Sequence, residues 1–293
     1  MVNIINSRVD KINFKNREVL VKRDDLLDSD FSGNKARKFY YFLKNDFPNI
    51  DTIISYGSNQ SNAMYSLSVL AKLKNWNYIY YTNHIPSFLE DNPQGNYKYA
   101  LDNNMNIIVD KDFDINNLDI KDNQLLINEG GAIYEASYGL GILAKEIEEY
   151  FKNKNSKDIK LFLPSGTGTT ALFLQKYLDI EVITTPCVGD SDYLTKQFLE
   201  LEKDILKHPT IIAPPKKYHF GKLYKENYKL WKELKSTTDI EFDLLYDPVG
   251  WQTLINSEIF KDKDITLLYL HQGGIIGNET MVARYQYLFS KSN

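Results

Sequence analysis

The chain has 293 residues, of which 43% are hydrophobic and 25% charged, with a formal net charge of −4. That length buries a large core, as one domain or two. The mildly acidic balance offers no basic field to grip nucleic acid or an anionic membrane, so neither is expected as a partner.

A single cysteine, Cys187, excludes an intrachain disulfide and fits a reducing compartment. The start, Met1-Val-Asn-Ile-Ile-Asn-Ser-Arg8, lacks the apolar run of a signal peptide, and no later run approaches a membrane span. A cytoplasmic protein is expected. His84, His208, His219 and His271 are scattered, without the close Cys/His pairing of a zinc site, and no metal is expected.

In chain order, the first informative stretch is Phe31-Ser-Gly-Asn-Lys-Ala-Arg-Lys-Phe39, a polar turn followed by a helical pattern. Lys35 falls in the first turn of that helix, where the positive end of the dipole disfavours a cation and lowers the pKa of an amine. Such a lysine suits attack on a carbonyl. An exposed basic patch of Lys35, Arg37 and Lys38 is the plain alternative.

Asp51 to Gly57 predicts a buried strand ending in a turn, and Ala63, Leu67, Leu70, Ala71 and Leu73 then recur at helical spacing. Between them, Ser58, Asn59, Ser61 and Asn62 are all good helix caps. One cap needs one such residue; the surplus donors suit a carboxylate at the helix start. An ordinary capped turn explains the stretch equally well. Trp76 to Tyr81, Asn106 to Val109 and Gln124 to Ile127 predict further strands. Tyr138 to Tyr150 predicts a helix with Leu140, Leu143, Ala144 and Ile147 on one face. The polar stretch from Lys152 to Asp158 is either a join between halves or a solvated loop.

Ile159 to Leu163 predicts a strand that runs into Pro164-Ser-Gly-Thr-Gly-Thr-Thr-Ala171 and then a helix to Leu178. Two glycines turn backbone N–H groups toward an anion, and the hydroxyls of Ser165, Thr167, Thr169 and Thr170 add donors, as a phosphate requires. The Lys-Ser/Thr ending of a P-loop is absent. Gly166, Gly168 and Ala171 also fit Gly-x-Gly-x-x-Ala, with Asp190 near the distance of a ribose-binding acid, which keeps an NAD(P)-dependent oxidoreductase open. Glu181 to Thr185, Phe242 to Tyr246 and Ile265 to Leu270 predict the remaining strands. The last ends in His271-Gln-Gly-Gly274, where a backbone can approach a ring closely. Strands alternating with helices predict an α/β protein with mostly parallel sheet and helices on both faces. The loops after Tyr56, Leu163 and Leu270 fall at strand carboxyl ends, where such folds bind ligands.

Taken together, these motifs resemble the family of 1-aminocyclopropane-1-carboxylate (ACC) deaminase and D-cysteine desulfhydrase, within the tryptophan-synthase-β-like, fold-type II enzymes that use pyridoxal 5′-phosphate (PLP). The resemblance is collinear from Lys22-Arg-Asp-Asp-Leu26 to Gly274 and includes Gln60-Ser-Asn62, Glu129-Gly-Gly131 and Tyr246-Asp-Pro-Val249. It implies two open, twisted, mostly parallel sheets with helices on both faces. It further implies a larger PLP-binding domain of residues 1–45 and 129–293 and a smaller substrate-side domain of 46–128. Lys35 would bear PLP, with Asn34, Lys38 and Asn62 around it. Ser165, Gly166, Thr167, Gly168, Thr169 and Thr170 would hold its phosphate, and Gln272 would meet its pyridine nitrogen. Ser58, Asn59, Gln60 and Ser61 would hold the substrate, Ser61 joining Lys35 in the chemistry.

The implied activity is deamination or β-elimination of a small amino acid, giving ammonia and an α-keto acid, in a homodimer. Three positions depart from the family pattern. Gly250-Trp251 follows Asp-Pro-Val where the family has a catalytic tyrosine and then Glu or Thr; Phe220 replaces a tyrosine before Gly221; and Gln272 replaces Leu or Thr. These departures also admit a non-catalytic relative that binds PLP or an amino acid.

Overall fold

The computed structural model describes residues 2, 4–154, 156 and 158–290, so Met1, Asn3 and two positions of the polar 152–158 stretch lie outside it. Its first elements are two strands without a counterpart in the sequence reading, β1 (Val9–Phe14) and β2 (Arg17–Arg23). They pair antiparallel through a two-residue turn in which Lys15 and Asn16 both have positive φ, 49° and 59°. That left-handed pair matches strand twist, but it lacks the glycine that usually announces it.

After α1 (Gly33–Lys44), a four-stranded parallel sheet is built from β3 (Thr52–Tyr56), β4 (Asn77–Thr82), β5 (Met105–Val109) and β6 (Gln124–Ile127), in the order β5-β4-β3-β6. Its intervening helices are α2 (Asn62–Lys74), α3 (Ser87–Asp91) and α4 (Gly95–Asp102). The chain then returns through α5 (Ala136–Phe151) to the first sheet. There β7 (Ile159–Ser165), β8 (Glu181–Pro186), β9 (Thr210–Ile211) and β10 (Thr266–His271) complete the order β1-β2-β10-β7-β8-β9. All pairs except β1 with β2 are parallel. The helices here are α6 (Thr169–Tyr177), α7 (Ser191–Leu201), α8 (Lys225–Thr238), α9 (Asp247–Ile255), α10 (Glu258–Lys261) and α11 (Asn278–Ser290). Among the described residues no helix is long and apolar enough to cross a membrane.

The six-stranded sheet is covered on both faces, so β10 is apolar at nearly every position. Leu268 and Leu270 pack toward α5 and α6, while Leu267 and Tyr269 pack toward α8, α9 and α11. A separate core joins α1, α2 and α4 to the smaller sheet.

The strand expected at Phe242 to Tyr246 is not one. Side chains satisfy its backbone instead of a ladder. Phe242 O accepts from Trp231 Nε1 (2.8 Å) and Asn278 Nδ2 (2.9 Å). Leu244 N donates to Asn278 Oδ1 (2.7 Å), and Leu245 N and Tyr246 N donate to Asp243 Oδ1 (2.8 and 2.6 Å). These bonds leave nothing for a neighbouring strand, and the segment becomes a tight turn that launches α9.

Helix α1 is anchored by ions. Fully buried Arg37 donates to Asp24 (3.0 and 2.8 Å) and to Glu146 of α5 (2.7 and 2.9 Å), and Lys22 of β2 also donates to Glu146 (2.7 Å). Burial opposes the Arg37 charge, yet Asp24 and Glu146 outweigh it and hold the guanidinium above its ordinary range. The two helices meet closely, since a Cβ on Gly139 would lie 2.0 Å from the Arg37 carbonyl oxygen. Replacing Arg37 with leucine leaves two carboxylates buried against a single lysine. Chemical denaturation is expected to show a loss of about 3–5 kcal/mol.

Candidate active site

The start of α1 is pressed onto the end of β10. Gly33 has φ +66°, and a Cβ there would lie 2.1 Å from Gln272 O, so only glycine fits. Asn34 N donates to Gln272 O (2.9 Å) and Asn34 Nδ2 to Gln272 Oε1 (3.0 Å), while Gln272 Nε2 donates to Pro164 O (2.6 Å). Three separate loops are thereby locked to each other, and Lys35 projects from their junction.

Lys35 is half-buried, and its Nζ lies 3.4 Å from Asn34 Oδ1. Burial lowers its pKa to about 8 against the opposing pull of Asp243. Asp243 is itself pushed up to about 6 by burial, against the donors Tyr246 N, Leu245 N and Asn62 and the charge of Lys35. Lys38 donates to Gly130 O (2.9 Å), and burial, with Lys35 nearby, carries its pKa well below the ordinary range.

The Gly/Thr turn lies beside this group. Thr170 Oγ1 is 3.5 Å from Asn34 Nδ2, and the hydroxyls of Thr167 and Thr169 are 3.1 Å apart. Gly168 precedes α6 with φ +73°, and no side chain caps the helix. Its first N–H groups are therefore left for an anion. Ser165 differs from its neighbours: its Oγ is turned into the sheet, 2.6 Å from Thr184 Oγ1. Asp190 is exposed and accepts from Tyr193 N (2.9 Å) as the N-cap of α7. A cap accounts for Asp190 without a ribose.

The opposite rim comes from the smaller sheet and the loop after β6. Gly130 faces Thr167, with 3.0 Å from its Cβ position to Thr167 Cγ2. Glu129 faces Gly57, with 2.7 Å from Oε1 to the Cβ position there, and burial raises its pKa. Ser58 and Asn59 line a cavity of about 530 Å³ with Tyr56, His84, Phe113 and Glu129. Ser61 accepts from Ala63 N (3.1 Å) and Met64 N (3.4 Å), so it caps α2. The Gln60 carbonyl oxygen is taken by Asn96, which also bonds Asn62. Asn62 Nδ2 and Asp243 Oδ2 lie 2.4 and 3.1 Å from the Cβ position of Gly274.

One residue near the Gly/Thr turn had no role in the sequence reading. Tyr246 Oη lies 3.5 Å from the Cβ position of Gly166, over the Gly/Thr turn. Burial first, then Asp243, raises its pKa. Gly250, by contrast, does not face the site: its Cβ position is 3.0 Å from Tyr269 Oη and 3.2 Å from Pro164 Cβ. Trp251 is fully buried and stacks on Tyr269 at 4.6 Å. Position 250, where the family has its tyrosine, packs against Tyr269 and Pro164. Asp243-Leu-Leu-Tyr246 repeats the Asp-x-x-Tyr spacing one helical turn earlier, a signal that the more conspicuous Asp247-Pro-Val249 masks.

These contacts link Asn34 to Thr170, Gly166 to Tyr246, Tyr246 to Asp243, Asp243 to Asn62, Gly57 to Glu129 and Gly130 to Thr167, with Lys35 near Asp243 and Lys38 on Gly130. The residues present fit PLP. An uncapped helix start with three threonine hydroxyls offers N–H and O–H donors to a phosphate, and a lysine held toward neutrality can meet an aldehyde.

No family model matches the chain, and neither does any curated protein sequence. Solved structures do match. An ACC deaminase homologue is similar over 98% of this chain and 95% of its own, with 20% identity and a TM-score of 0.75. Serine racemase from Dictyostelium discoideum covers 92% of each chain at 14% identity and a TM-score of 0.63. A pyridoxal 5′-phosphate-dependent aspartate racemase covers 92% of this chain and 90% of its own at 11% identity and a TM-score of 0.62. The two-sheet architecture of this chain is therefore the tryptophan-synthase-β-like fold, that of the fold-type II PLP enzymes.

Proposed function

We propose that the chain is a PLP-dependent enzyme that acts on a small amino acid, by deamination or β-elimination, to give ammonia and an α-keto acid. The observation that carries this reading is the placement of the Lys35 amine, shifted toward neutrality beside Asp243, on the same rim as the uncapped start of α6.

PLP, when bound, supplies an electron-withdrawing ring at the substrate carbon. The chain's own residues would hold and serve it. Lys35 would be the amine that takes the cofactor aldehyde, and its free Nζ would be the base for the substrate proton. Thr167, Thr169, Thr170 and the N–H groups of α6 take the phosphate. Ser58 to Ser61 stand at the carboxyl end of β3, where N–H and O–H donors oppose a substrate carboxylate. Tyr246 holds a phenolic proton over the Gly/Thr turn, four residues before position 250, and we assign it the role of the family's tyrosine. Gln272 offers a neutral amide rather than an acid, with both ends already bonded to Asn34 and Pro164. The same reading implies a homodimer.

The lowered Lys35 pKa makes a quantitative expectation. An amine with pKa about 8 is free base above that pH, and at pH 7 about a tenth of it is already unprotonated. The rate at which PLP or an amine-reactive probe modifies Lys35 should thus rise through a midpoint near pH 8, where an ordinary lysine rises near 10.5. Peptide mapping of Lys35 across the pH range reads this directly. The activity itself is tested by absorbance of the PLP-loaded protein, then by assay of ammonia and keto acid with D- and L-amino acids and ACC. Failure to bind PLP overturns the reading; PLP bound without any product leaves a non-catalytic sensor.

A further inference from the structure

Asn62 stands next to Asp243, and its amide can face either way: nitrogen toward the carboxylate, or oxygen. The direction is decided from the far side of the loop. Asn96, the second residue of α4, is buried at 3% exposure and donates from Nδ2 to Gln60 O (3.0 Å) and to Asn62 Oδ1 (2.6 Å). Gln60 O is a main-chain carbonyl and can only accept, so the nitrogen of Asn96 must be on that side. Its second proton then requires an acceptor, which fixes the oxygen of Asn62 toward Asn96. The nitrogen of Asn62 is left pointing at Asp243, which as a carboxylate also only accepts. The chain of polarity runs from one unambiguous acceptor to another and is consistent at both ends.

We propose that Asn96 is a positioning residue: from the smaller sheet's helix α4 it locks the Asn62 amide with its nitrogen toward Asp243, beside Lys35. It touches neither Lys35 nor the Gly/Thr turn and acts only through Asn62. Among the described residues, Asn96 holds the Asn62 oxygen on the side away from Asp243, so it and the carboxylate favour the same direction. Asp243 is held on its other oxygen by Leu245 N and Tyr246 N. The titratable groups facing it are Lys35, Tyr246, Tyr269, Cys187 and Asp247, whose Oδ2 accepts the Asp243 N–H at 2.9 Å. None of these is bonded to Asn96, so its removal should reach Asp243 by way of the amide alone.

The test is a double-mutant cycle on the full chain. Asn96→Ala, Asn62→Ala and the pair are compared, with Asn96→Ser as the milder variant should alanine fail to fold. The primary readout needs no cofactor: the pH midpoint of the Asp243 carboxyl, followed by carbon NMR of protein labelled at aspartate carboxyls and assigned with Asp243→Asn. A carboxylate that loses its directed donor is harder to ionise, so Asn96→Ala and Asn62→Ala should each raise the midpoint by about one unit, and the pair by no more than Asn62→Ala alone. The second readout is the dissociation constant for PLP, expected to weaken about tenfold in each single variant and no further in the pair. An unchanged midpoint with a lowered melting temperature would show Asn96 to be mere packing and overturn the proposal, as would effects that add in the pair. This role rests on the proposed function only where PLP enters. A shifted midpoint in protein that never binds PLP keeps the positioning role and sinks the PLP reading.

Discussion

Protein with Lys35 replaced by alanine, incubated with PLP, should lack the visible absorbance of lysine-bound cofactor and should turn over amino acids at least about a thousandfold more slowly. The size follows from two losses at one atom. The amine that holds the aldehyde is gone, and so is the base that takes the substrate proton. Lys38 cannot stand in, because its Nζ is committed to Gly130 O at 2.9 Å. Lys35→Arg keeps a cation beside Asp243 but has no nucleophilic nitrogen at neutral pH, so it should fail equally. Both variants retain the threonines and the uncapped start of α6, and PLP should still bind reversibly, displaced by inorganic phosphate. Absorbance, equilibrium dialysis and steady-state rates check the three statements; a Lys35→Ala protein with undiminished visible absorbance and rate would remove Lys35 from the chemistry.

Tyr246→Phe is expected to cost about 10²–10³ in kcat, the range of a lost general acid or base, with little change in KM and in melting temperature. Its ring already packs on Phe220 at 5.2 Å, and phenylalanine keeps that contact while removing the hydroxyl over Gly166. The companion variant is Gly250→Tyr. If position 250 faced the site, restoring a tyrosine there would raise activity. The geometry says otherwise: a side chain at 250 runs into Tyr269 Oη at 3.0 Å and Pro164 at 3.2 Å. That protein should be destabilised by about 1–3 kcal/mol, as overpacked cores are, without gain in rate. Rates near wild type in Tyr246→Phe, or an activity gain in Gly250→Tyr, would return the tyrosine's role to position 250.

Much of this site could be read before any coordinates. Lys35, the Ser58 to Asn62 loop and the Ser165 to Thr170 turn are each local patterns, a cap-rich helix start or a Gly/Thr turn after a strand. Local patterns are written in neighbouring residues. Their place at the ends of β3, β7 and β10 also follows from continuous apolar runs, which are buried at successive positions. What failed were features set by partners far along the chain. The strand expected at Phe242 to Tyr246 is apolar enough for sheet, but Trp231, Asn278 and Asp243 claim its backbone bonds. The β1–β2 hairpin went unread because Lys15-Asn16 adopts a turn usually marked by glycine.

By itself, then, the order of residues determined the alternation of strands and helices, the Gly/Thr turn at the start of one helix and the lysine at the start of another, since each depends on propensity and spacing within a dozen positions. Only the tertiary structure decided where the hydroxyls point. Ser165 turns into the sheet because Thr184 lies beside it on the neighbouring strand, and Tyr246 stands over Gly166 because Asp243 bends the chain before α9. The physical reason is common to both: a polar side chain points where its nearest unsatisfied partner stands, and that partner is brought there by the fold rather than by the sequence neighbourhood.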